Sequence, residues 1–191
     1  MKEISSPAFL DSTLNFIGGQ ASLDLTNLVM MGHQLGGLTA LSASAGDKRI
    51  KAIATIDPWF TPYNRELMLG KFNIKDPRQA VCIVESEGYA AEIDWKVEGL
   101  NSQNDDIEKF LADSLNTAKQ ERVCIKNQNS AHQTDHILLD PLLVNLLKNG
   151  TLPFTNQGKL YMLNIQLILK FLYAQKCITN PDPTHLSTIC T

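Results

Sequence analysis

The residues with the clearest chemical potential lie in the segment Leu28 to Ala40, LVMMGHQLGGLTA. An apolar run ends there in Gly-His-Gln-Leu-Gly-Gly and leads directly into a run of small residues. This is the pattern of a nucleophile elbow, G-x-S-x-G, in which the central residue has a strained backbone and the flanking glycines remove side chains that would clash. Gly32 and Gly36 fill the glycine positions, and Gln34 is central. Because a glutamine amide has no nucleophilic oxygen, the turn has the pattern of an acyl-transfer site that lacks its nucleophile.

Two further side chains follow predicted strands in the order that acyl-transfer chemistry uses. Asp57 closes the apolar run IKAIATI, and His132 follows the run RVCIK in the loop NQNSAHQ. An elbow, then an acid, then a histidine is the chain order of α/β-hydrolases, in which the acid orients the histidine. Alternatives remain open: Asp57 as a turn residue before Pro58, His136 in place of His132, and Gln34 as an ordinary polar residue before a helix.

The placement of these residues depends on alternating strands and helices. The predicted strands are Asn27 to Met31, Ile50 to Ile56, Ala80 to Val84 and Arg122 to Lys126. The predicted helices are Pro7 to Phe16, Gly36 to Ala45, Asp106 to Leu115, Ile137 to Leu147 and Leu160 to Tyr173. This alternation predicts an α/β fold with an open, mostly parallel sheet and flanking helices. At the carboxyl edge of such a sheet, we expect positions 34, 57 and 132 to converge.

Composition and charge argue against several classes of protein. The 191 residues are 43% hydrophobic and 19% charged with a net charge of −3, which is typical of a globular protein and gives no basic surface for nucleic acid. The N-terminus lacks an uninterrupted apolar stretch, and LYMLNIQLILKFLY, at about 14 residues, is too short to span a bilayer. We therefore expect no transmembrane segment and a cytoplasmic protein.

Cysteines and histidines give no sign of a metal site or a disulfide framework. The four cysteines lie far apart without a CxxC pair, and the four histidines are scattered. We expect free thiols, no metal and no cofactor. Without repeats or an internal linker, the chain reads as one domain over residues 26–176, preceded by an N-terminal helix and linker over 1–25 and followed by a loose tail over 177–191.

Four pieces of the sequence resemble the platelet-activating-factor acetylhydrolases of the plasma and type II kind, which are α/β-hydrolases that cleave short or oxidised acyl chains from phospholipids. GHQLGG is similar to the family's GHSFGG, IDPWFTP to its LDxWxxP, VESEGY to its NSEx run, and SAHQ to its VHQ. The resemblance covers residues 26–175. IDPWFTP is its most family-specific piece, because most α/β-hydrolases lack a Trp and a Pro at those offsets.

The resemblance implies a role for each candidate residue and a phospholipid-like ester as the substrate. Asp57 would be the triad acid, His132 the general base, Gln34 the degenerate nucleophile position, and the backbone N–H of Leu35 one oxyanion donor. It also implies that the first four of about eight strands are absent, and with them the second oxyanion donor. We therefore expect the C-terminal half of an α/β-hydrolase with little or no esterase activity; the alternative is a non-catalytic binding or scaffold protein.

The strand before the elbow has a further consequence. In the family's strand order it lies in the middle of the sheet, so without upstream neighbours Leu28 to Met31 would form an edge with apolar side chains and unpaired backbone groups. We expect this edge to be covered by a protein partner or by self-association, or by the predicted helix over Pro7 to Phe16. The remaining alternative is that the chain is an incomplete product of a larger gene.

Overall fold

The structure is a computed structural model that describes residues 24–61, 74, 76, 78–89, 103–114, 119–128, 133 and 157–178. The predicted helices over Pro7 to Phe16 and Ile137 to Leu147 lie outside these ranges, as does most of the tail expected over 177–191.

Four strands form one parallel sheet in the order in which they occur in the chain. They are β1 (Leu28–His33), β2 (Ile50–Ile56), β3 (Ala80–Ser86) and β4 (Lys119–Ile125). The helices are α1 (Leu35–Gly46), α2 (Gln103–Ser114) and α3 (Gln157–Ala174). The predicted α/β fold with a mostly parallel sheet is confirmed, and among the described strands β1 and β4 lie at the two edges.

The strands differ in polarity according to their place in the sheet. All residues of β3 are buried, and β2 is buried except for two partly exposed positions, as expected for central parallel strands covered on both faces. The edge strand β4 is largely exposed. The observed strand begins at Lys119 and ends at Ile125, whereas the predicted strand began at Arg122 and ended at Lys126. The start was missed because residues 119–121 are polar, and only their pairing with β3 identifies them as part of the strand.

Two apolar cores lie on opposite faces of the sheet because alternate side chains of a strand point in opposite directions. One face joins large strand residues to α1 and α2 and includes Leu38, Leu41, Ile53, Ile83, Ile107 and Phe110. The other joins mostly small strand residues to α3 and includes Ala52, Ala54, Ala80, Cys82, Leu160, Ile168 and Phe171. Small side chains on this second face leave room for α3 to pack close to the sheet.

Helix α3 ends in a left-handed turn. Lys176 has φ 58°, and the backbone N–H of Cys177 donates to the carbonyl of Leu172 at 2.9 Å. This turn satisfies carbonyl groups that the last helical turn would otherwise leave unpaired. No helix in the described ranges is both long and apolar enough to cross a membrane.

Candidate functional site

Gln34 forms the sharp turn between β1 and α1. Its backbone has φ 49° and ψ −117°, a conformation that side chains with a Cβ rarely adopt. Two hydrogen bonds hold this geometry: the Gln34 N–H donates to the carbonyl of Ile56 at 3.0 Å, and the Trp59 N–H donates to the carbonyl of Gln34 at 3.1 Å. The turn is therefore bonded through its N–H to the last residue of β2 and through its carbonyl to the segment that follows β2.

The glycines beside Gln34 allow α1 to begin against the end of β1. A Cβ built on Gly32 would lie 2.2 Å from the carbonyl carbon and oxygen of Gly36, so position 32 tolerates no side chain. A Cβ on Gly36 meets nothing within 4 Å, whereas one on Gly37 would lie 3.2 Å from the Cβ of Pro58. The expected steric need for glycine is thus observed at Gly32, and the second close approach is at Gly37 rather than at Gly36.

Leu35 is the first residue of α1, and 47% of its surface is exposed. The first N–H groups of a helix have no acceptor within the helix and lie at its positive end. The Leu35 N–H therefore has the position in the helix that an oxyanion donor requires. Its assignment as that donor stays a prediction.

Asp57 follows β2 and is completely buried. Its backbone is also left-handed, with φ 46°, and its N–H donates to the carbonyl of Val84 at 2.9 Å. The side chain accepts two hydrogen bonds from one residue: the Ser86 N–H donates to Oδ1 at 2.6 Å and the Ser86 hydroxyl donates to Oδ2 at 2.8 Å. These donors replace part of the hydration that a carboxylate loses on burial.

The turns after β1 and β2 meet at one edge of the sheet. Ile56 and Trp59, the two residues whose backbones bond to Gln34, lie on either side of Asp57 in the sequence. Positions 34 and 57 therefore belong to one hydrogen-bonded unit at the carboxyl ends of β1 and β2. The apolar segment that follows is anchored by Phe60, whose ring lies 5.6 Å from that of Phe110 in α2.

His132 and its alternative His136 lie outside the described residues, so the convergence of positions 34, 57 and 132 stays a prediction. The residue after His132 is described. The Gln133 side-chain amide donates to the Ser86 hydroxyl oxygen at 3.0 Å, and the Asn164 amide of α3 donates to the Gln133 oxygen. Ser86 thus contacts both Asp57 and Gln133.

Ser86, Gln133 and Asn164 had no assigned role in the sequence interpretation. Ser86 lies in VESEGY and Gln133 in SAHQ, two of the pieces that carry the family resemblance, and this was the available signal for them. Asn164 gave a weaker signal, as an amide between the apolar residues Leu163 and Ile165. It is only 5% exposed, and a buried amide usually has a hydrogen-bonding partner.

Two other features of this region concern ionisable groups. Burial lowers the pKa of His33, so its neutral form is favoured, and its buried Nε2 has no hydrogen-bonding partner within the described ranges. In the described part of the chain, no three His, Cys, Asp or Glu side chains gather as they would around a metal ion.

Comparison with protein families gives one match that covers most of the chain. The family model described as platelet-activating factor acetylhydrolase, isoform II, matches residues 3–175. The matched range includes the elbow, Asp57, Ser86 and the segment from His132 to Asn164. It confirms the resemblance that four short pieces predicted and extends it toward the N-terminus.

Proposed function

Because the chain belongs to the platelet-activating factor acetylhydrolase, isoform II, family, we propose that it is a homologue of the esterases that hydrolyse the sn-2 acyl ester of phospholipids. We further propose that it has little or no esterase activity. The observation that carries this second proposal is Gln34, a residue without a nucleophilic oxygen at the strained turn between β1 and α1.

The reaction of the family assigns a step to each position. A serine at position 34 would attack the ester carbonyl, His132 would take its proton, Asp57 would orient the imidazole, and the Leu35 N–H would bind the oxyanion. The burial of Asp57 and its two hydrogen bonds from Ser86 support its place in this scheme. A glutamine amide cannot form the acyl intermediate, and loss of a triad nucleophile lowers kcat by on the order of a millionfold.

A comparison of the natural chain with Gln34→Ala tests the loss of activity. Hydrolysis of p-nitrophenyl acetate is measured for both proteins after the same purification. We expect equal rates, because neither side chain can accept an acyl group. Turnover by the natural chain well above that of Gln34→Ala would overturn the proposal.

Gln34→Ser tests how much of the machinery remains. The assignment supplies one oxyanion donor, Leu35, and each such donor contributes about 10²–10³ in kcat. We therefore expect the serine variant to recover little activity toward the same ester. Strong recovery would show that a second donor is present and that the oxyanion site has been assigned incompletely.

The alternative function is a non-catalytic binding or scaffold protein that uses the fold to hold a partner or a second copy of itself. Its supporting observation is β1, an edge of the described sheet where Met31 is 53% exposed. Size-exclusion chromatography discriminates the two: a stable oligomer favours the scaffold function, and a clean monomer counts against self-association.

We also propose a cytoplasmic location. Cys82, Cys124 and Cys177 are free thiols, which supports a reducing compartment. Fractionation of cells that express the tagged chain tests this, and recovery in an oxidising compartment would contradict it.

A further inference from the structure

A chain of side-chain hydrogen bonds connects Asp57 to helix α3. The Ser86 hydroxyl donates to Asp57 Oδ2 at 2.8 Å, the Gln133 amide donates to Ser86 Oγ at 3.0 Å, and the Asn164 amide donates to Gln133 Oε1. Ser86 is 2% exposed and Asn164 is 5% exposed. The chain thus begins at the candidate acid and ends in the core between the sheet and α3.

Asp57 fixes the direction of every hydrogen bond in this chain, because both of its carboxyl oxygens accept from Ser86. A carboxylate whose two oxygens both accept has no proton to donate, so the Ser86 hydroxyl is the donor in their contact at 2.8 Å. The Ser86 oxygen then accepts from the amide nitrogen of Gln133, which turns the Gln133 oxygen toward Asn164. The Asn164 nitrogen must therefore face Gln133.

The surroundings of Asn164 do not select this direction. Asn164 Oδ1 is buried and has no hydrogen-bonding partner among the residues that the structure describes. Rotating both amides by half a turn would pair Oδ1 with the Gln133 nitrogen but would leave the Asn164 nitrogen buried in the place that Oδ1 now occupies, so the reversed orientation gains nothing at Asn164. The observed orientation is therefore explained by the carboxylate two links away rather than by the surroundings of Asn164.

We propose that Ser86 and Gln133 are positioning residues for Asp57, anchored on helix α3 through Asn164. The importance of positioning Asp57 rests on the proposed function, in which it is the acid of the site. A carboxylate accepts about four hydrogen bonds, and Ser86 supplies two, one to each oxygen. These two bonds fix the plane of the carboxylate, so the directions in which it accepts an imidazole N–H are also fixed.

The same contact holds the residue that follows the candidate base in the sequence. Gln133 follows His132 in the sequence, and its side chain is held by Ser86 on one side and Asn164 on the other. Ser86 is thus a common support for the acid and for the residue next to the base. Helix α3, whose apolar side chains pack on one face of the sheet, thereby becomes part of the support of the site.

Asp57→Asn provides the test, because it should reverse the donor and the acceptor in each hydrogen bond from residue 57 to Asn164. The Ser86 N–H still requires an oxygen at the Oδ1 position, so the new amide nitrogen faces the Ser86 hydroxyl oxygen and donates to it. Ser86 then donates to Gln133, and Gln133 donates to Asn164 Oδ1. We expect the side-chain amide signals of Asn164 in ¹H–¹⁵N spectra to shift, although Asn164 does not touch residue 57.

Gln133→Leu, combined with Asp57→Asn, is the decisive comparison. Without the Gln133 amide, we expect the Asn164 signals to be identical with Asp or Asn at position 57. Ser86→Ala should also abolish the shift and Ser86→Thr should preserve it, which provides a second route if the leucine variant does not fold. Ser44→Ala is the matched control, because Ser44 is equally buried and donates to the Ala40 carbonyl in α1, outside the chain.

The proposal is overturned if Asp57→Asn leaves the Asn164 signals in place, or if they still shift when Gln133 or the Ser86 hydroxyl is removed. If these residues had a role in packing alone, the variants would change in stability, but the Asn164 signals would not depend on whether residue 57 is Asp or Asn. The spectra are recorded without substrate. An unexpected esterase activity would therefore refute the proposed function and leave this result intact.

Discussion

Replacing Gln34 with glycine should stabilise the protein even though it deletes a side chain. The backbone at Gln34, with φ 49° and ψ −117°, is strained for any residue that has a Cβ. Strain of this kind costs about 1–3 kcal/mol, and the greater freedom of glycine in the unfolded chain subtracts about 0.4–1 kcal/mol. We therefore expect the free energy of unfolding to rise by about 1 kcal/mol and Tm to rise by about 2–4 °C.

Gln34→Ala is the matched control, because it removes the amide and keeps the Cβ. At an ordinary position glycine is less stable than alanine by about 0.5–1 kcal/mol, so the sign of the difference is diagnostic. Urea unfolding of the three proteins gives the free energies under the same conditions. If the glycine variant is less stable than the alanine variant, the strain at this turn does not exist and the elbow geometry is wrong.

Three further perturbations address other parts of the structure. Gly32→Ala should destabilise the fold by more than about 4 kcal/mol in urea unfolding, because its Cβ would lie 2.2 Å from backbone atoms of α1. Gly46→Ala is the control and should be neutral, because a Cβ at that position meets nothing within 4 Å. Lys176→Gly should raise Tm slightly, since φ 58° at this position favours glycine; a lower Tm would contradict the left-handed end of α3. Burial raises the pKa of Cys82 to about 12. A thiol reagent at pH 8 should therefore modify the exposed Cys124 in the native protein and Cys82 only after unfolding. Equal rates of modification at the two cysteines would show that Cys82 is not buried.

The central strands could be predicted from the sequence because burial on both faces gives a continuous apolar run. The prediction for β2, Ile50 to Ile56, matches the observed bounds. For β3 it stopped at Val84, two residues early, because Glu85 and Ser86 are polar. Both are nevertheless buried: Glu85 pairs with Arg122 of β4, and Ser86 bonds to Asp57.

The support of the candidate site was less accessible to sequence reasoning. Asp57 was proposed from its place after a strand, but its partner Ser86 is 29 residues away and Gln133 is 47 residues beyond Ser86. Such contacts leave no periodicity in the sequence, because they depend on how strand ends and loops meet in space. The family motifs contained both residues without indicating what either one does.

The sequential order of the strands has a consequence for synthesis on the ribosome. During synthesis β2, β3 and β4 can each pair with the strand that emerged just before, because the described strands are neighbours in the sheet as in the chain. Asp57, however, leaves the exit tunnel before Ser86 does. Until β3 docks, its carboxylate lacks the two hydrogen bonds from Ser86, which replace part of its hydration in the folded protein. The docking of β3 is therefore the step at which water can be excluded from Asp57 at the carboxyl end of β2.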